Sequence, residues 1–413
     1  MKLYIDPGTG SLLFAFLIGI FGAIRWLIKK LIVDIRFIVS GGKPTKNNDA
    51  KIPLVIFSDN KRYWNVFKPI CDELEKRNFD TVYMTCSLDD PIFNNSYKFI
   101  HPKFIGEGNK AFATLNFLNA TILLSTTPGL EVYQWKRSKN VNYYVHILHT
   151  AAEVTAYRMF GIDYYDAVLV SGEYQIKDER KLEELRHLPK KELIMVGIPY
   201  MDEMKKRLLE NPPITNSIKT ILVAPSWGKN GILNKYKDGI IKELLKTDYH
   251  IIIRPHPQSF ISEKELLDEL MNKYPSSDKL EWNNDVDNFE VLKRSDLLIS
   301  DFSGVIFDYS LVFDKSIIYA DTEFDSSIYD ICWLDTPFWT FTALPRIGEK
   351  LDENNLNDLP QIIEQCLTNQ KYINGIEEVK KETWCYQNEG SKRTVDYLIS
   401  KYEEISKIKE IEK

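Results

Sequence analysis

Short apolar runs closed by a small or polar residue alternate with longer stretches whose apolar residues recur at helical spacing. In the first half, residues 52–57, 81–85, 121–125, 142–148, 165–171 and 193–196 are of the first kind. Runs this uniformly apolar predict strands covered on both faces, as in a parallel sheet between helices. Ser58, Asp59 and Asn60 supply capping residues for a helix that runs to Lys76, and residues 110–119 predict another. A Lys/Glu-rich helix follows residue 171. Residues 201–217 hold a helix and then Pro212-Pro213, a break that reads as a linker. The alternation then restarts, with strands at 220–224, 250–253, 297–299 and 316–320. Helices are predicted at 236–246, 284–295, 355–368 and 375–384. The pattern predicts an α/β chain with two doubly wound, Rossmann-like domains, 50–205 and 218–385, and a C-terminal helix and charged tail at 386–413.

The N-terminus breaks this pattern. From Ser11 the chain reads SLLFAFLIGIFGAIRWLIKKLIV, short of the ~20 uninterrupted apolar residues of a full span. Arg25 can snorkel and Trp26 suits an interface. Basic residues (Arg25, Lys29, Lys30, Arg36, Lys43) follow the run, while only Lys2 precedes it. The expectation is an anchor and linker over 1–45, with an N-terminal membrane-associated helix and both large domains on the cytoplasmic side of the cell membrane. A net charge of -6 argues against a nucleic-acid partner. Five scattered cysteines without CxxC spacing read as reduced thiols. No GxGxxG follows the first strand, which argues against a dinucleotide oxidoreductase.

Candidate chemistry gathers just past the strands. His149 follows the run ending at Leu148 and fits either a general base or a ring satisfied by backbone hydrogen bonds. His146 lies three residues earlier, but on a strand the two rings face opposite ways, which disfavours a shared metal. In the second half, Pro225 and Ser226 open a loop, and Arg254-Pro255-His256-Pro257 presents a cation and an imidazole on a proline-stiffened backbone. Ser300, Asp301, Ser303 and Gly304 lead into a predicted helix that carries Asp308, a phosphate-cradle pattern. Asp308 fits either a ligand hydroxyl or a cap. Three polar turns after three strands of one sheet would share one edge, where ligands of such sheets bind.

The motifs resemble those of the CDP-glycerol glycerophosphotransferase family, the teichoic-acid polymerases and primases. Ile221-Leu-Val-Ala-Pro-Ser-Trp227 is similar to the family's Ile-Leu-Tyr-Ala-Pro-Thr-Trp, and Arg254-Pro-His256 matches its Arg-Pro-His. Ser300-Asp-Phe-Ser-Gly-Val-Ile-Phe-Asp308 matches Ser-Asp-x-Ser-Ser-x-x-Phe-Asp, and the 196–202 segment is similar to Gly-x-Pro-Arg-x-Asp. The chain departs from the family at three places. Leu148-His149-Thr150-Ala151 stands for Trp-His-Gly-Thr, Gly304 for the second serine, and Gly228 for an arginine. The resemblance implies a GT-B-like pair of domains facing a cleft. It implies transfer of an alditol phosphate, glycerol phosphate first, from a CDP-activated donor to a hydroxyl of a lipid-linked acceptor, with CMP released. His149 would be the base, and Arg254, His256, Pro225, Ser226 and the 300–304 turn would hold the donor. No resident metal or other cofactor is implied, beyond Mg²⁺ that can accompany the nucleotide. The competing readings are a nucleotide-sugar glycosyltransferase of the same architecture and a non-catalytic envelope-assembly scaffold.

Overall fold

The computed structural model describes residues 51–213, 217–285, 287–368 and 370–411. The expected anchor at 1–45 lies outside them. Among the described residues, no helix is long and apolar enough to cross a membrane.

Two parallel sheets organise the chain. The first runs β3-β2-β1-β4-β5-β6-β7. Its strands are β1 (Ile52–Ser58), β2 (Thr81–Thr85), β3 (Ile100–Phe104), β4 (Ala120–Ser125), β5 (Val141–Ile147), β6 (Ala167–Val170) and β7 (Glu192–Met195). The second runs β10-β9-β8-β11-β12-β13. It comprises β8 (Thr220–Val223), β9 (His250–Ile253), β10 (Leu280–Trp282), β11 (Leu297–Ser300), β12 (Ile317–Ala320) and β13 (Gly348–Leu351). Each order reverses between its first and fourth strands, which opens a crevice at the strands' carboxyl ends. The central strands are buried on both faces: Val55, Ile56, Leu123 and Leu124 in the first sheet, Leu222, Ile252 and Leu298 in the second. That burial is why they read as unbroken apolar runs.

Three strands, β3, β10 and β13, were not expected from the sequence, and all lie at sheet edges. β3 contains an exposed His101-Pro102-Lys103, a sequence tolerated where one side needs no ladder partner. The helix expected at 236–246 is broken at Lys237, whose φ of 49° ends one helix, Ile232–Tyr236, before the next, Gly239–Leu245. Residues 284, 285, 287 and 288 precede, rather than join, the helix Phe289–Arg294.

The two domains are stitched together. One apolar cluster runs from Met201 and Met204 through Ile306 and Phe307 to Trp339 and Trp384. The last helix, Gly390–Ile411, returns to the first domain, where Val395 and Leu398 join the core of Phe67, Ile70 and Leu74. Asp202 pins that return, accepting hydrogen bonds from Trp384 Nε1 at 2.8 Å and Gly390 N at 2.9 Å. A segment after β12 also reaches across, with Met159 N donating to Ile328 O at 3.2 Å and Asp330 N to Tyr157 O at 2.9 Å.

Candidate active site in the interdomain cleft

The carboxyl ends of both sheets face one cavity of about 400 Å³ between the domains. His149 from the first domain and Pro225, Arg254, His256, Ser303 and Asp308 from the second all line it. Six residues spread over 160 positions of sequence thus meet because each follows, or nearly follows, a buried strand.

His149 Nδ1 shares a 2.9 Å hydrogen bond with Thr126 Oγ1, just beyond β4. Its other ring nitrogen has no protein partner among the described residues. The Tyr63 ring packs edge-on at 5.0 Å. Burial, then the charge of Arg62, lowers its pKa to about 4. The ring is therefore neutral at pH 7, the form able to take a proton. His146 points elsewhere, fully buried, with Nε2 bonded to Tyr157 Oη at 2.9 Å.

His256 is oriented by its own backbone. Its Nδ1 accepts from Gln258 N at 3.1 Å, so the neutral ring carries its proton on Nε2 and can donate it to an anion. Burial lowers its pKa to about 4, with Arg62 adding to the effect and Glu263 opposing it. Arg254 is anchored by Asn283 Oδ1 and by Asp285 O at 2.7 Å, so the loop after β10 fixes the guanidinium.

Ser300 and Asp301, expected to help hold the donor, do not line the cleft. Both are buried, at 0% and 1% exposure. Ser300 Oγ donates to Ala224 O at 2.6 Å. The Asp301 carboxylate accepts from Ser226 N at 3.0 Å, Ile232 N at 3.1 Å and Phe302 N at 2.8 Å. Asp301 thus shapes the Pro225–Ser226 loop from below. Asp301→Ala would strand three backbone donors; a loss of at least about 3 kcal/mol is expected in urea unfolding, because each unsatisfied buried group costs about 1–3 kcal/mol.

The predicted helix after Ser303 is a single α turn, Val305–Phe307, that widens into a π turn, Asp308–Val312. Asp308 is bonded by Tyr200 Oη. Burial pushes its carboxyl up to about 7, while the Tyr200 and Asn288 side chains hold it down. Tyr200, like Arg62 and Tyr63, went unnoticed in the sequence. It lies within the 196–202 motif, and its ring packs in the apolar cluster between the domains. Arg62 follows β1 as the other site groups follow their strands, a placement that could have marked it.

Two of the departures from the family motifs meet in space. A Cβ added at Gly304 would overlap Thr150 Oγ1 and lie 3.2 Å from Thr150 Cβ. The side chain gained at 150 occupies the room left by the one lost at 304. Gly304→Ser alone should therefore cost about 1–3 kcal/mol by overpacking and depress any turnover. Adding Thr150→Gly should recover most of both, read as melting temperature and rate.

The family model for CDP-glycerol:poly(glycerophosphate) glycerophosphotransferases matches residues 161–400, more than half of the chain. The chain belongs to this family. It is accordingly a transferase of the CDP-glycerol glycerophosphotransferase type. The fold of this glycerophosphotransferase is shared with solved structures of low identity. The wall teichoic acid polymerase TagF superposes with a TM-score of 0.57 at 16% identity, over 92% of this chain and 98% of TagF. S. aureus MnaA bound to UDP gives 0.58 at 14% identity, over 85% and 97%. The UDP-GlcNAc 2-epimerase of Methanocaldococcus jannaschii gives 0.55 at 14%, over 84% and 99%. No curated protein matches the sequence. These neighbours support two parallel-sheet domains of the GT-B kind.

Proposed function

We propose that this glycerophosphotransferase moves glycerol phosphate from CDP-glycerol to a hydroxyl of a teichoic-acid-type acceptor and releases CMP. The observation that carries the reading is the meeting, in one cleft, of a neutral His149 on one domain with Arg254, His256 and Ser303 on the other. The acceptor hydroxyl attacks the β-phosphorus of the donor and gives its proton to His149. The bond from that phosphorus to the CMP oxygen breaks, and the electron pair leaves with CMP. His256 Nε2–H and the Arg254 guanidinium offset charge on the pyrophosphate oxygens; one such oriented donor is worth about 3–4 kcal/mol. The reading calls on no resident metal; Mg²⁺ would arrive with the nucleotide. The acceptor would be lipid-linked, held at the inner face of the cell membrane, where the segment 1–45 would tether the enzyme.

Incubation of the full chain with labelled CDP-glycerol and acceptor-bearing membranes tests this. CMP release with label passing into polymer is expected. Release of UMP or UDP from a nucleotide sugar, with no CMP from any CDP-alditol, would replace the reading with glycosyl transfer.

A further inference from the structure

Among the described residues, four cations line the cleft, and three of them are already held. Arg254 is fixed by Asn283 and the Asp285 carbonyl. Arg207 pairs with Asp287 at 2.8 Å and Lys68 with Asp72 at 2.7 Å. Arg62 forms no ion pair among the described residues. Its Nη2 donates to Tyr63 Oη at 3.0 Å, and its guanidinium stands 4.8 Å from that ring's centroid. Asn60 Oδ1 caps the turn by accepting Arg62 N at 3.1 Å. That turn follows β1, at the point where the strand order of the first sheet reverses. From there the Arg62 charge acts on both histidines of the cleft, His149 in its own domain and His256 in the other. A cation that forms no ion pair among the described residues, set between a base and a hydrogen-bond donor, is suited to an anion that lies between them.

We propose that Arg62 is a further catalytic residue, whose guanidinium binds the non-bridging oxygens of the phosphoryl group as it passes from donor to acceptor. The assignment rests on the function proposed above. Arg62 exchanges no proton. The hydroxyl proton goes to His149, the new P–O bond forms to the acceptor oxygen, and the old one breaks toward CMP. The guanidinium offsets the charge on the equatorial oxygens throughout, and its planar fork fits two of them at once.

The variants Arg62→Gln and Arg62→Lys, made in the full chain, test this with CDP-glycerol as the probe. Arg62 is exposed, so both should melt as the unaltered protein does. Arg62→Gln is expected to lower kcat by about 10²–10³ with CDP-glycerol affinity nearly unchanged. Lysine should restore only part of the loss, because a point charge lacks the fork. A second readout is the pH profile. His149 faces Arg62 and Tyr63 from the turn after β1, Thr126 after β4, Tyr157 from the following loop and His146 on its own strand. His256 faces Trp227 and Glu263 besides Arg62. Only Arg62 changes in the variant, so the acid limb of kcat/KM should move to higher pH as both rings become more basic.

A kcat within about threefold of the unaltered enzyme would overturn the assignment, as would an acid limb that stays in place. A raised acceptor KM at unchanged kcat would also overturn it and make Arg62 an acceptor-binding residue. Failure of the unaltered enzyme to turn over CDP-glycerol would count against the function itself; an active enzyme with an unimpaired Arg62→Gln counts against this inference alone.

Discussion

His149→Ala should reduce kcat for glycerol phosphate transfer by about 10²–10⁴, the usual worth of a positioned general base, while CDP-glycerol still binds. The separation is expected because His149 sits on the first domain, whereas Arg254, His256 and Ser303 sit on the second. CMP release measured beside calorimetric titration with CDP-glycerol checks it. His149→Gln gives a control of similar size that keeps an acceptor toward Thr126. The pH dependence has a definite sign. A ring with a pKa near 4 is the neutral base at pH 7 and loses that form only on strong acidification. The acid limb of kcat/KM should therefore lie below the usual histidine range. An alanine variant with full turnover would remove His149 from the chemistry.

The second large effect is on stability. Arg186 is 4% exposed at its side chain and pairs with Asp163 at 2.7 Å and with Asp330, themselves 4% and 0% exposed. Asp163 belongs to the first domain, and Asp330 comes from the segment that crosses over after β12. The guanidinium also lies 4.9 Å from the Phe160 ring centroid and 5.0 Å from that of Trp333. Arg186→Met would leave two buried carboxylates without their cation. Breaking a buried pair in this way costs about 3–5 kcal/mol, to be read from the midpoint of urea unfolding. Burial already raises the Asp330 carboxyl while Arg186 holds it down; without the cation it rises further, so the variant's stability falls as pH rises. The deficit should thus be larger at pH 8 than at pH 5. A deficit independent of pH would mean that lost packing, rather than charge, dominates.

Both predictions depend on contacts between distant parts of the chain, and the sequence foreshadowed them unequally. His149, Arg254, His256 and Ser303 were legible because strand ends announce themselves: an apolar run stops and a polar residue follows. Asp301 sat within the same announcement, yet it folds inward to hold the Ser226 loop, since only packing decides which of two adjacent polar residues turns toward the cleft. Tyr200 carried no role in the sequence reading; it packs in the core between the domains and also bonds Asp308 at the cleft. The exchange of Thr150 for Gly304 was visible only as two separate departures until the domains were brought together.

By itself the sequence determined the two-domain, parallel-sheet plan, because strands buried on both faces must be apolar along their whole length, and it determined the motifs that mark the family. The tertiary structure alone decided the sheet edges, where half-exposed strands such as β3, β10 and β13 need no apolar signature. It also decided which polar groups share the cleft. Arg62 and the donor-side residues are far apart in sequence, and no local pattern records a distance set by how two domains dock.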